Sequence, residues 1–336
     1  MKRTNRDTPA RAAMKMLCTF LGVVFLVMLS ATLYFQHLFG GINHVSFENV
    51  PLLSQEELDA LLDTPVLNIA DSLFDDHNTQ IGGRGSGIVN ILLIGQDRRE
   101  GEDRARSDSM ILCTFNKDTK KITMTSFLRD LYVEIPGYSS NRINAAYAAG
   151  GMTLLNKTLK ENFGVHIDGN VEVDFSQFSQ IVDLLGGVQI ELQQDEANVV
   201  NEETGSTLEP GLQTLNGAQA LAYSRIRKLD ADGDFSRTNR QRTVMRAMVD
   251  AYKGVKLTNV LSLVKQVLPM ISTDMSNGRI LTLALELFPL LSDAEIVSQR
   301  IPADGTYSGQ MIDGMSVLVA DMEANRKILS DSLTQS

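Results

Sequence analysis

Two rhythms of apolar and polar positions run along the chain. Apolar runs bounded by glycine or turn residues predict strands, and apolar residues spaced three and four apart predict helices. The segment GIVNILLIGQD, residues 87–97, has a continuous apolar centre at Ile88–Ile94 and predicts a strand buried on both faces. Ser109–Phe115 and Ile122–Phe127 follow, separated by the polar turn Asn116–Lys120. So short a connection predicts an antiparallel hairpin. The segment 166–174 reads as extended, and Val188–Leu192 and Glu295–Ile301 read as further strands. Helices are predicted at 54–65, where Ser54 and Glu57 form a capping box, and at 175–187, where Gly186 and Gly187 end it. A short helix is predicted from Asn216, and longer ones near 257–269, 277–291 and 315–332. Residues 193–216 are polar and turn-rich, with Pro210-Gly211. The alternation implies an α/β fold, a central mixed β-sheet sandwiched by helices.

The N-terminus has a different pattern. Residues 1–15 hold Lys2, Arg3, Arg6, Arg11 and Lys15 against Asp7, a net of +4. Leu17–Phe35 then runs 19 residues without a charge, long enough to cross a bilayer as one helix. A cleaved signal peptide is the rival reading, but its apolar core is normally shorter, and Leu29-Ser30-Ala31 is a poor cleavage site. The basic flank stays inside, so the chain divides into a cytoplasmic tail (1–15), a transmembrane signal anchor (16–39), an extracytoplasmic linker or accessory segment (40–86) and one domain (87–336) outside the cytoplasmic membrane. The glycine-rich stretch Gly82–Gly87 lacks a Lys-Ser/Thr ending and precedes a strand, so it reads as linker rather than phosphate loop.

Composition narrows the chemistry. The two cysteines, Cys18 and Cys113, predict no disulfide, and the four scattered histidines have no zinc spacing. Within a chain of net charge −10, Tyr223–Arg246 holds seven Lys or Arg. Read as a strand, an acidic loop and a helix, it puts Arg225 and Arg227 on one extended face and Arg237, Arg240 and Gln241 on one helical face. Two phased sets of guanidinium groups suit a pyrophosphate, whereas a random charge run would be a solvated basic face. The predicted meander also brings Asp97, Arg106, Asp108 and Arg129 to one sheet edge. Asp97 and Asp108 are the kind of carboxylate pair Mg²⁺ takes from a protein, with substrate phosphates and water as its other ligands.

The ordered motifs ILLIGQD, ARSDSM, TSFLRDLYVEIPG, RINAAYAAGG, VDFSQFSQIVDLLGGV, LNGAQALAYSRIRKLD and DFSRTNRQR resemble the extracytoplasmic domain of the LytR-CpsA-Psr family, over residues 87 to about 246. The resemblance implies a phosphotransferase moving an anionic glycopolymer, teichoic acid or capsular polysaccharide, from an undecaprenyl-pyrophosphate carrier to the C6 hydroxyl of peptidoglycan N-acetylmuramic acid. It implies Mg²⁺, with Mn²⁺ as a substitute, on Asp97 and Asp108, and a pyrophosphate held by Arg106, Arg129, Arg225, Arg227, Arg237, Arg240 and Gln241. Asp97, Arg106, Arg129, Arg225 and Arg227 would act in catalysis. The polyprenyl tail would lie in an apolar tunnel between sheet and helices. Leu128 stands where the family commonly has proline. A lipid-pyrophosphate hydrolase and a noncatalytic sensor of lipid-linked precursors are the alternatives. Nucleic acid is not an expected partner, because the arginines lack an interleaved aromatic platform and the anchor puts the domain outside.

Overall fold

The structure, a computed structural model, describes residues 40–45, 54, 87–96, 107–227, 229, 234–252 and 266–334. The chain divides into two units, Met1–Ile42 and Asn43–Ser336, and of the first only residues 40–42 are described. The predicted signal anchor, all of the predicted helix at 54–65 but Ser54, nearly all of the glycine-rich linker and residues 257–265 lie outside the described residues. Among the described residues no helix is long and apolar enough to cross a membrane.

The second unit begins with a short strand, β1 (Asn43–His44), and continues with β2 (Ile88–Gln96), β3 (Ser107–Asn116) and β4 (Lys121–Phe127). Two short strands, β5 (Tyr132–Val133) and β6 (Asn141–Arg142), lead into α1 (Ile143–Phe163). Next come β7 (Gly169–Asp174), α2 (Phe175–Leu184), β8 (Val188–Leu192), α3 (Gln194–Thr204), β9 (Gly211–Leu215), α4 (Gly217–Arg225) and α5 (Asp234–Tyr252). The chain ends with β10 (Ser272–Thr273), α6 (Asn277–Asp293), β11 (Glu295–Ile301), β12 (Tyr307–Ile312), β13 (Met315–Ala320) and α7 (Met322–Thr334).

Seven strands form one sheet in the order β1-β10-β7-β2-β3-β4-β11. The β2–β3 and β3–β4 pairs are antiparallel, as the short turn required, while β7 and β11 join parallel to β2 and β4. The sheet is therefore mixed, and the C-terminal ends of β2, β4, β7 and β11 share one edge with the start of β3. Alternation along β2 and β3 divides the side chains between two layers. Leu92, Ile94, Met110 and Leu112 pack on one face under α1 and α7. Ile111 and Cys113 face the other way, toward α5 and α6. Cys113 is a free thiol, and its burial pushes its pKa up to about 12.

A second, smaller core is built from elements that include α3 and β9. Val182, Val188, Ile190, Ala197, Val200, Leu215, Ala222 and Val244 are buried together between α2, α3, α4, α5 and the β8–β9 hairpin. Residues 193–216, read as turn-rich, contain both α3 and β9. The α3 helix starts from a capping box of Gln193 and Glu196, buries Glu196, Ala197 and Val200, and ends at Gly205 in the left-handed conformation. Only a narrow stripe of it is apolar, so its periodicity is masked by polar residues. The predicted helix at 315–332 divides into β13 and α7. Asp313 and Gly314 both have positive φ and form the two-residue turn between β12 and β13, an Asp-Gly hairpin signal that interrupts any helix there.

The α2 and α4 helices approach closely at Gly217, where a methyl group would collide with the backbone carbonyl of Ser179. Gly217→Ala should therefore cost about 1–3 kcal/mol, the usual range for overpacking. Urea unfolding checks this, and an unchanged midpoint would show that the two helices separate freely.

Candidate functional site

The site is built on an irregularity in the sheet. Gly95 of β2 pairs with Ser109 of β3, but Gln96 pairs with Ser107, so Asp108 is an extra residue in the ladder. Such a bulge breaks the up-and-down alternation and re-aims a side chain. Consecutive residues Asp108 and Ser109 consequently both line one cavity of 680 Å³. Its other walls carry Arg129 from the end of β4, Val199, Glu202 and Glu203 from α3, Arg225 and Arg227 from the end of α4 and the segment beyond it, and Arg237 and Gln241 from α5.

Three arginines meet at Asp108. The Arg129 guanidinium donates to its carboxylate at 2.8 Å, and Arg227 approaches the other oxygen at 3.9 Å. Arg237, almost fully buried at 2% exposure, donates to the Asp108 backbone carbonyl at 3.3 Å. Gln241 accepts a hydrogen bond from Ser109 at 3.0 Å. Arg225 lies over the Phe175 ring, 4.7 Å from its centroid, and 3.9 Å from Glu203. Among the described residues, four guanidinium groups and three carboxylates line the cavity. Each arginine hydrogen bond to a charged oxygen is worth about 1.5–3 kcal/mol. The cluster is therefore suited to an anion with several oxygens.

Arg225 reaches this cavity from a helix rather than a strand. Tyr223–Arg225 is the last turn of α4, and the chain turns extended only at Ile226. Arg225 and Arg227 still meet in one cavity because the helix ends between them. Arg240 is not brought to the site. Its Nε donates to Glu196 Oε1 at 2.7 Å, with both side chains about nine-tenths buried. The spacing of three residues from Arg237 turns it by about 60° around the helix, toward α3. It joins α3 to α5, the two helices that wall the cavity. Burial, and then the adjacent Glu196 charge, push the Tyr223 hydroxyl up to about 12 beside this pair, with Arg240 offsetting part of the rise. Leu128 is fully buried, and its N–H donates to Ile301 at 2.9 Å, tying β4 to β11 with a donor that proline lacks. Asp97 and Arg106 lie outside the described residues.

A second, apolar cavity of 270 Å³ adjoins the first. Gly95, Ser109, Phe175, Ser224 and Gln241 line both. Beyond them the walls are Leu93, Ile111, Val171 and Val173 of the sheet, Phe178 and Ile181 of α2, and Val244, Met245 and Met248 of α5. Phe175 and Phe178 therefore border this cavity, while Val182 is fully buried in the smaller core. Sequence reasoning missed Ser109, Ser224 and the whole α3 wall as site residues. The Gln193-Glu196 capping box was the available signal for α3.

A sequence model of the LytR_cpsA_psr family matches residues 66–332. Regulatory protein MsrR of Staphylococcus aureus (strain COL) is 32% identical over 260 residues, 75% of this chain and 76% of that protein. The polyisoprenyl-teichoic acid–peptidoglycan teichoic acid transferase TagT of Bacillus subtilis (strain 168) is 39% identical over 178 residues, 51% of this chain and 55% of that protein. Among solved structures, YwtF (TagT) with bound octaprenyl pyrophosphate lipid superposes with a TM-score of 0.58 at 28% identity, covering 76% of this chain and 94% of that one.

The two kinds of arginine should separate in mutagenesis. Arg240→Ala leaves Glu196 buried without its charge partner and should cost about 3–5 kcal/mol. Arg227→Ala removes a half-exposed group and should cost less than about 0.5 kcal/mol. Denaturant titration of both variants checks the contrast, and equal losses would remove the distinction.

Proposed function

Because this chain belongs to the LytR-CpsA-Psr family, we propose that it is a phosphotransferase for a lipid-linked anionic glycopolymer. The donor is a polyprenyl-pyrophosphate carrier of undecaprenyl type, and the polymer is of teichoic acid or capsular polysaccharide type. The acceptor is the C6 hydroxyl of N-acetylmuramic acid in peptidoglycan. One observation carries this reading. An arginine-lined cavity opens through five shared residues onto an apolar one, and a prenyl pyrophosphate has the same two halves. The name of TagT and the octaprenyl pyrophosphate in its structure support the choice.

In this reading Arg129, Arg225, Arg227 and Arg237 hold the pyrophosphate oxygens, and Gln241 adds a polar contact. The acceptor oxygen bonds to the phosphorus that carries the polymer. The bond from that phosphorus to the bridging oxygen breaks, and polyprenyl phosphate leaves. The Arg129 and Arg237 guanidinium groups, held at Asp108 by the fold, offset charge on the leaving oxygen without reorganising. The apolar cavity takes the first prenyl units.

Mg²⁺ fits the donor set on one count: Asp108 turns a carboxylate into the phosphate cavity, where one or two carboxylates suffice for this ion. Asp108 and Asp97 would hold it, or Mn²⁺ in its place, and it would supply further charge neutralisation. The Leu17–Phe35 anchor would hold the domain at the outer face of the cytoplasmic membrane, beside its lipid substrate.

Transfer from a lipid-linked glycopolymer to peptidoglycan tests the proposal. Arg129→Ala should lower the rate about 10²–10³-fold, as loss of one preorganised donor does, with the fold retained. EDTA should stop turnover and Mg²⁺ restore it. Free polymer phosphate formed without peptidoglycan would identify a hydrolase. Ligand binding with no turnover would identify a sensor.

A further inference from the structure

The α3 helix carries its charges in an order that its own stability does not explain. Asp195 and Glu196 occupy the first turn, where carboxylates oppose the positive end of the helix dipole. The last turn also carries two carboxylates, Glu202 and Glu203, and no basic residue. There the exposed carbonyls make acidic side chains unfavourable. Both of these side chains line the arginine cavity. Local rules broken at a cavity wall are a mark of function rather than folding.

The contrast within this helix is informative. Glu196 is buried and locked to Arg240 at 2.7 Å. Glu203 is about half exposed and only 3.9 Å from an equally exposed Arg225. Such a loose pair contributes little to stability and exchanges readily. Asp108, another described carboxylate of the cavity, already has an arginine on each oxygen, at 2.8 Å and 3.9 Å.

We propose that Glu203 is the general base that accepts the proton of the acceptor hydroxyl. The proposal rests on the donor reading above and names the group that reading leaves open. When the pyrophosphate enters, Arg225 turns to its oxygens and releases the Glu203 carboxylate at the cavity wall. The acceptor O–H proton passes to Glu203 as its oxygen bonds to phosphorus. The bond from phosphorus to the bridging oxygen breaks, and its electron pair leaves on polyprenyl phosphate. Glu203 then returns the proton to solvent. Binding of the donor and exposure of the base are thereby linked through one arginine.

The test uses the full chain in detergent with two readouts. Binding of octaprenyl pyrophosphate is measured by calorimetry, and transfer to a hydroxyl acceptor is followed across pH. Glu203→Gln should bind the pyrophosphate as tightly as the parent or more tightly, because Arg225 loses a competing partner. Its kcat should fall about 10²–10⁴-fold, the range of general-base catalysis, with loss of the acid limb of the kcat profile. Formate should restore part of the rate of Glu203→Ala, which a merely structural role would not allow. A Glu203→Gln protein with the parent rate and an unchanged acid limb overturns the assignment, as does one that loses binding and turnover together. A parent protein that neither binds octaprenyl pyrophosphate nor transfers overturns the donor reading itself. Parent binding and turnover with a silent Glu203→Gln variant would sink the base alone.

Discussion

Three guanidinium groups converge on one residue, Asp108, and the rest of the site follows from that crowding. Arg129, Arg227 and Arg237 arrive from three different elements and contact its two carboxylate oxygens and its carbonyl. Like charges about 6 Å apart repel by about 3 kcal/mol at an effective dielectric of about 20. A single carboxylate offsets only part of such a cluster. An oxygen-rich anion offsets more of it, and the fold has already met the cost of bringing the arginines together. The bulge at Asp108 makes the arrangement possible, since a regular strand would put Asp108 and Ser109 on opposite faces.

The cavity needs walls that do not move. On the sheet side the wall is the β2–β3–β4 meander, whose ladders are continuous up to the bulge. On the helical side the wall is α3 against α5, joined by the buried Glu196–Arg240 pair. Glu196 also accepts from the Gln193 N–H in the capping box, so one carboxylate starts α3 and fastens it. This double use sets where Glu202 and Glu203 stand along the cavity. The pair belongs to the architecture of the site without contributing a group to it.

Gly95, Ser109 and Ser224 stand where the polar and apolar cavities meet. Small residues at a junction keep it open, and Phe175 gives it one apolar surface beneath the Arg225 guanidinium. A ligand lying across this boundary would keep its charge among the arginines and its hydrocarbon against Val171, Val173 and Met245. Water would be displaced mainly from the apolar side, where the hydrophobic gain is about 25 cal/mol per Å².

Local sequence alone determined the three-strand meander, the strands at β7, β8 and β11, the capped α2 helix and the arginine-rich stretch beside a predicted sheet edge. Those features rest on short-range physics: apolar runs, a five-residue turn, glycine caps and charge spacing. Tertiary structure alone decided how the stretch Tyr223–Arg246 is used. Arg225 ends a helix instead of lying on a strand, because Ala220, Ala222 and Tyr223 are buried in the smaller core. Arg237 enters the cavity and Arg240 leaves it, although three residues separate them. The role of Arg240 depends on Glu196, 44 positions away in sequence, and on a helix too polar to announce itself. The bulge at Asp108 is equally invisible in one strand, because register exists only between two. Long-range partners decide such cases, since pairing and burial are properties of the assembled chain.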